Sequence, residues 1–122
     1  MNHSKDLHLL ERILKWINKM KDVFAEFNIE NFDDFESNET CQLAINQLVT
    51  NIYELMKKID VNFYNKIPLL IKLRRRLKLS RNIASHDYEQ LDLDIVYKLI
   101  ISLASQEIIS ELEAVLHEYG NH

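Results

Sequence analysis

Glycine and proline are almost absent from this chain, whose 122 residues contain one of each, Gly120 and Pro68. Sheet proteins need such residues at many corners, because tight turns require backbone conformations that glycine and proline favour. A chain with few turn residues has few corners, and therefore long helices. The composition predicts an all-α fold, and the length suits one domain, residues 1–122, with a real hydrophobic core.

Apolar residues recur at steps of three and four in four stretches, which is the spacing of the buried face of an amphipathic helix. We expect an up-down bundle of four long helices, with room for one extra short helix in the polar connection at 28–38. The second and last stretches predict two buried stripes, which run through Leu43, Ile45, Leu48, Ile52, Leu55, Met56 and Ile59, and through Ile95, Val96, Leu99, Ile100, Leu103, Ile108, Leu112 and Leu116.

Residues that favour helix ends mark where these helices begin and stop. Ser4 or Asp6 can cap the first helix, and Asp92 or Asp94 can cap the last. Pro68 suits the first turn of the third helix, where its missing N–H costs nothing. Gly120 should end the last helix, in a position where a left-handed residue is easily accepted.

Several classes of protein are excluded by what the chain lacks. Cys41 is the only cysteine, which rules out an internal disulfide and a multi-cysteine zinc site and fits a reducing compartment. The first residues show no apolar stretch behind basic ones, so no secretion signal is expected. No apolar run approaches the length of a membrane span. We expect a cytoplasmic protein with no membrane partner, no metal site and no cofactor.

The net charge of −4 conceals one strongly basic segment. Between Val61 and His86 there is no acidic residue, while seven are basic: Lys66, Lys72, Arg74, Arg75, Arg76, Lys78 and Arg81. An acidic body with one basic segment concentrates a positive field in one place. A solvated helix face would show the same pattern. The functional interpretation is an RNA-binding surface formed by Arg74, Arg75, Arg76 and Lys78.

The basic segment ends in an octapeptide, Arg81–Tyr88, whose side chains can handle a phosphodiester without a metal ion. Arginine supplies a fixed planar cation for phosphate, and histidine has an ordinary pKa suited to proton transfer near neutral pH. His86 could take a proton from a ribose 2′-hydroxyl or deliver one to the leaving 5′-oxygen, while Arg81 neutralises the developing charge. Asn82 could orient either group, and Tyr88 could stack on a base or bind phosphate.

The spacing of Arg81 and His86 sets a geometric condition on this site. Five residues correspond to about 140° around an ideal helix, so the two side chains do not converge on one straight helix. Either the helix loosens before His86, or a symmetric dimer combines groups from two chains in one cleft. A structural interpretation also remains, in which Asn82 and His86 form a buried pair that joins two helices.

Arg-Asn followed by His-x-Tyr, between the third and fourth helices of a small all-helical chain, resembles the HEPN superfamily. More narrowly, it resembles the HepT-like toxins of type II toxin–antitoxin systems, which pair with minimal nucleotidyltransferase antitoxins. The resemblance spans nearly the whole chain, including Glu54 and the Pro-led third helix. It implies a homodimeric endoribonuclease with Arg81 and His86 at the dimer cleft. It also implies that the partner transfers AMP to Tyr88 and thereby silences the toxin.

Two departures from the family pattern leave the subfamily, and hence the partner, open. Members often have Gly-Glu-Ala in the second helix, where this chain has Ile-Tyr-Glu-Leu at 52–55. Members often have an aromatic residue soon after the proline, where this chain has Leu69 and Leu70. Neither departure touches the Arg81–Tyr88 segment.

Three function classes follow. The first is the ribonuclease toxin, which the intact set of Arg81, His86 and Tyr88 favours. The second is a non-catalytic HEPN-like substrate-binding or antitoxin partner of a nucleotidyltransferase. The third is a purely structural helical dimer, which leaves the basic segment unexplained. Outside this segment, we expect Trp16 to be a core or dimer-contact residue rather than a platform for a ligand, and Cys41 to be a buried small residue.

Overall fold

The structure is a computed structural model that describes residues 3–84 and 90–120, with side chains described for 3–78 and 93–120. Within these ranges every regular element is an α-helix, which confirms the all-α prediction. The helices are α1 (Ser4–Glu26), α2 (Phe32–Glu36), α3 (Glu39–Lys57), α4 (Val61–Asn65), α5 (Pro68–Ala84), α6 (Gln90–Leu103) and α7 (Gln106–Gly120).

The long helices surround one apolar core. Helix α1 packs against α3 and α7, α3 also packs against α5, and α5 packs against α6. The side chains that fill the centre are fully or almost fully buried, among them Leu10, Ile13, Met20, Ile45, Ile52, Leu70, Leu73, Ile100 and Leu112. The apolar stripes predicted by the sequence therefore meet in the interior, and burial of these side chains is the main source of the fold's stability.

Two short helices pack against the long ones, α2 against α3 and α6, and α4 against α5. The first, α2, is the extra short helix expected between the first two long ones, and its Phe35 is 1% exposed. The second, α4, was not expected, and its Phe63 is equally buried. Asn31 caps α2 and Asp60 caps α4, because each side chain accepts a backbone N–H from the first turn of its helix.

Helix α1 is followed by a residue in the left-handed backbone conformation, as helices often are. Asn28 has a φ of 56°, a conformation that asparagine tolerates better than most residues. The N–H of Ile29 donates to the carbonyl of Phe24 (2.8 Å), and the N–H of Asn28 donates to that of Ala25 (3.2 Å). This pair of bonds is a Schellman motif, which satisfies carbonyls at the helix end and turns the chain toward α2.

The predicted cap of α1 is wrong. His3 occupies the N-cap position and makes no side-chain cap, while Ser4 is already the first helical residue. Asp6 is 6% exposed, and its side chain bonds outside its own helix. Its Oδ1 accepts the backbone N–H of Asp60 at 2.9 Å, so this carboxylate joins α1 to the residue that caps α4.

The last predicted helix is two helices, α6 and α7, separated at Ala104–Ser105. The Ser105 hydroxyl accepts the N–H of Ile108 at 3.3 Å and so caps α7. At the other end, α6 begins at Gln90, so neither Asp92 nor Asp94 is its N-cap. Gly120 is the last residue of α7, as expected. Its φ is not positive, so it does not adopt the left-handed conformation that the sequence suggested.

Two residues assigned to buried stripes are on the surface. Leu43 is 64% exposed and Ile95 is 38% exposed. Leu43 lies two positions before the buried Ile45, and Ile95 lies one position before the buried Val96. Residues one and two positions apart on a helix point about 100° and 200° apart, so each exposed side chain is turned away from the direction of its buried neighbour.

Candidate functional site

Helix α5 carries the basic segment, and its described side chains separate by direction. The apolar ones, Leu70, Leu73 and Leu77, are at most 1% exposed. The exposed cations are Lys72, Arg75 and Lys78, which lie on the side that faces solvent. Arg74 and Arg76 are half-buried, at the two borders between these faces. Between residues 72 and 78, the helix therefore presents positive charge on its exposed side.

Arg74 is held in place by an aromatic ring. Its guanidinium carbon lies 5.2 Å from the centre of the Tyr64 ring, and the Tyr64 hydroxyl donates to the carbonyl of Ile71 at 3.5 Å. Stacking on a ring face leaves the N–H edges of a guanidinium available for an anion. Arg74 is thus an ordered cation at the edge of the exposed face.

Arg76 lies at the other border of the exposed face and contributes to a contact between two helices. Its Nη1 donates a hydrogen bond to Oγ of Ser102 on α6, at 2.6 Å. This bond joins the two helices on either side of residues 85–89. The structure thus divides the four cations of the predicted RNA surface into two exposed, one stacked and one engaged with α6. Their role in RNA binding stays a prediction.

The predicted catalytic residues fall at the border of what is described. Arg81 and Asn82 lie in the last turns of α5, but their side chains are outside the described residues. His86 and Tyr88 lie wholly outside the described residues. The helix order around the segment is as expected, since it joins the third and fourth long helices, α5 and α6.

A pocket between α1 and α3 was not anticipated from the sequence. It has a volume of about 280 Å³ and opens to solvent. The residues that line it are Arg12, Trp16, Asn51, Glu54, Leu55 and Lys58. Trp16, expected in the core or at a dimer contact, is half-buried and forms part of a pocket wall. The signal in the sequence was the helical spacing of these residues, four apart on α1 and three or four apart on α3.

Cys41 and Tyr97 are packing residues. Cys41 is fully buried as expected, and this burial raises the pKa of its thiol, which disfavours the reactive thiolate. Tyr97 stacks on Phe24, with ring centres 6.0 Å apart, and contacts Phe35 of α2. Burial, and then the negative charge of Asp34, raise the pKa of Tyr97. Burial thus disfavours the ionised form of both side chains, and both contribute to packing.

Across the residues that the structure describes, no three His, Cys, Asp or Glu side chains are grouped so that they could hold a metal ion. The same part of the chain contains no helix that is long and apolar enough to span a membrane.

Comparison with known proteins identifies the relationship that the helix order suggests. Curated proteins and solved structures gave no significant match. A protein-family profile, described as ribonuclease HepT-like, matches residues 10–118. The match runs from the second turn of α1 to near the end of α7 and includes Arg81–Tyr88. The chain therefore belongs to the HepT-like ribonuclease family of the HEPN superfamily.

Proposed function

We propose that this protein is a metal-independent endoribonuclease toxin of a type II toxin–antitoxin pair, and that it cleaves RNA as a homodimer. The family match over residues 10–118 carries the proposal, because it includes the segment with an Arg, a His and a Tyr at the required spacing. The exposed cations on α5 support it, since they lead along the helix toward that segment.

The reaction uses a nucleophile that RNA itself supplies. The ribose 2′-oxygen forms a bond to phosphorus, and the bond between phosphorus and the 5′-oxygen breaks. His86 takes the 2′-hydroxyl proton or delivers a proton to the leaving 5′-oxygen, and Arg81 neutralises the charge that develops on the phosphorane. The products are a 2′,3′-cyclic phosphate and a 5′-hydroxyl. DNA is not a substrate, because it lacks the 2′-hydroxyl.

Supporting roles belong to neighbouring residues. Asn82 orients a catalytic group or the phosphate, and Tyr88 contacts the RNA at the edge of the cleft. The antitoxin is a minimal nucleotidyltransferase that attaches AMP to Tyr88. The exposed side chains of Arg75 and Lys78, with Arg74, bind RNA phosphates on the way to the cleft.

Cleavage of a labelled RNA in the presence of EDTA tests this function. The wild type should cleave and leave cyclic phosphate ends, and His86→Ala should lower the rate by about 10²–10⁴, the usual contribution of a general acid or base. Cys41→Ser provides a control outside the site. Loss of activity on adding EDTA, or full activity of His86→Ala, would remove the mechanism. RNA binding without cleavage would favour the non-catalytic partner of a nucleotidyltransferase.

A further inference from the structure

We propose that the pocket between α1 and α3 binds a nucleotide unit, with the base stacked against Trp16 and the phosphate held by Arg12 and Lys58. The site is separate from the proposed ribonuclease centre and does not depend on it. Its ligand is defined by chemistry, a flat aromatic base joined to a phosphate, which a free nucleotide and a single RNA strand both supply.

The apolar side of the pocket is built on rigid helices. Trp16 lies on α1 between Ile13 and Ile17, which are at most 1% exposed, so the position of its backbone is fixed by the core. Leu55, 4% exposed, contributes an apolar surface from α3. Stacking of a base on an aromatic side chain is favourable for any base, because every base has a π-face. A half-buried tryptophan above an apolar surface suits that interaction.

The polar side of the pocket favours an anion. Arg12 comes from α1 and Lys58 follows the end of α3, and both are exposed at the pocket. The one lining carboxylate, Glu54, is paired with Lys57 at 3.1 Å, which offsets its charge. Lys15 lies 6.0 Å from the centre of the Trp16 ring and adds positive charge nearby. Arginine and lysine together are suited to phosphate.

The dimensions and the amide group of the pocket agree with a ligand of one nucleotide. Its volume of about 280 Å³ is near the lower end of the range for small-molecule sites, roughly 300–1,000 Å³. Asn51 accepts a hydrogen bond from Gln47 at 3.0 Å, which holds its side-chain amide in place. An ordered amide at the wall can donate to or accept from the edge of a base.

The pocket lies near the end of the bundle where α5 begins, and not where α5 ends. The pocket involves the last two turns of α3, from which the short helix α4 leads directly to the beginning of α5. The Arg81–Tyr88 segment begins in the last turn of α5, at the opposite end of that helix. Within one protomer, the two sites can therefore be tested separately.

Calorimetric titration of the full-length protein with AMP gives the affinity, and Trp16 fluorescence gives the location, because Trp16 is the chain's one tryptophan. We expect saturable binding of AMP with a change in Trp16 emission. Adenosine and inorganic phosphate should each bind at least about tenfold more weakly, since each lacks one of the two contacts. Arg12→Gln and Lys58→Gln should each weaken AMP binding by roughly 3- to 10-fold.

Lys21→Gln is the matched control, because Lys21 is an exposed cation on α1 that does not line the pocket. It should leave the affinity unchanged, and thermal melts should show that all variants are folded. A 2′-O-methyl oligoadenylate, which this chemistry cannot cleave, distinguishes the two sources of the ligand. Affinity at least tenfold above that of AMP identifies an RNA strand, and equal affinity identifies a free nucleotide.

Three results would overturn the proposal: no saturable binding at millimolar AMP, equal binding of adenosine and AMP, or unchanged affinity in both Arg12→Gln and Lys58→Gln. Because AMP cannot be cleaved, none of these results depends on ribonuclease activity. The two proposals can therefore fail independently. If the wild type does not cleave RNA but still binds AMP, the ribonuclease proposal fails and the pocket proposal stands.

Discussion

Arg76 of α5 donates a hydrogen bond to Ser102 of α6, with 2.6 Å between Nη1 and Oγ. Both residues are partly buried, and 26 positions of the chain separate them. The bond joins the two helices that precede and follow residues 85–89 in the chain. Arg76 therefore differs in kind from its neighbour Arg75, which is exposed, although the sequence presents them as one run of arginines.

This difference predicts a stability effect at Arg76 that is absent at Arg75. Arg76→Met keeps the aliphatic stem and removes the donor, and should lower the free energy of unfolding by about 1.5–3 kcal/mol, the range for a hydrogen bond that involves a charged group. Arg75→Met should change it by less than about 0.5 kcal/mol, as exposed substitutions usually do. Urea unfolding followed by circular dichroism measures both.

A double-mutant cycle with Ser102→Ala isolates the contact itself. We expect a coupling energy of about 1 kcal/mol between Arg76→Met and Ser102→Ala, because the two side chains share one bond. Arg75→Met combined with Ser102→Ala should give additive effects. Additivity for the Arg76 pair would mean that the 2.6 Å contact does not persist in solution.

The exposed cations of α5 predict the salt dependence of RNA binding. Each phosphate contact to a single strand contributes about 0.7 to the slope of log K against log salt. Replacing Arg75 and Lys78 with Gln should therefore make the slope shallower by about 1.4. The measurement requires the His86→Ala background, so that the RNA stays intact during titration.

A variant with Lys5 and Lys21 changed to Gln is the matched control, because both are exposed cations on α1. Its slope should equal that of the parent protein. If the slope becomes shallower by the same amount in both double variants, the effect comes from overall charge, and α5 has no special role in RNA binding. Arg76→Met should alter the slope less than Arg75→Gln, since its guanidinium is engaged with Ser102.

Much of the fold could be predicted because long apolar stripes have one stable solution, burial against each other. The helix break at Ala104–Ser105 was missed although the sequence contained it. The apolar residues Leu103 and Ile108 are five apart, and no helical stripe advances by five. Ser105 stands between them with a side chain suited to capping. Apolar residues on both sides of this break make the two helices look like one in the sequence.

The contact of Arg76 and the pocket could not be predicted, because both depend on which helices become neighbours. The apolar spacing of α5 places Arg75 opposite Leu73 and Leu77, but it does not show that Arg76 meets α6. Likewise, Trp16 looks like a packing residue until α3 is placed beside α1. The Arg81–Tyr88 segment could be proposed as a site from the sequence for the opposite reason, since the proposal depends on residue types at a local spacing. Its catalytic role stays a prediction.

The 140° separation of Arg81 and His86 on an ideal helix predicts that two inactive variants can restore each other. In a mixed dimer of Arg81→Ala and His86→Ala chains, a site that takes Arg81 from one chain and His86 from the other is intact once per dimer. Random mixing should therefore restore about one quarter of the wild-type activity, since half of the dimers are mixed and each has one of two sites.

Activity after mixing, unfolding and refolding the two variants together measures this restoration. Each variant refolded alone should stay inactive, and light scattering should show a dimer in every sample. No restoration from verified mixed dimers would place both residues of a working site in the same chain. A persistent monomer of 14.5 kDa that cleaves RNA would remove the two-chain site altogether.

The last prediction concerns silencing at Tyr88, two residues beyond His86. When a nucleotidyltransferase acts on it, the phenolic oxygen bonds to the α-phosphorus of ATP, pyrophosphate leaves, and the phenolic proton passes to solvent. The added AMP carries a negative charge and would compete with RNA phosphate for Arg81 through charge-assisted hydrogen bonds. Modification should therefore abolish cleavage while leaving the helical bundle folded.

Intact-mass spectrometry after incubation with a cognate nucleotidyltransferase, ATP and Mg²⁺ should show whole AMP increments on the wild type and none on Tyr88→Phe. Tyr97→Phe is the matched control, because Tyr97 packs against Phe24 and Phe35 and should not accept AMP. The modified protein should keep its thermal midpoint to within a few degrees, since a group added at a position that the partner enzyme must reach changes stability little. Adducts that map to Tyr64 or Tyr97, with Tyr88 unmodified, would leave the proposed partner without support.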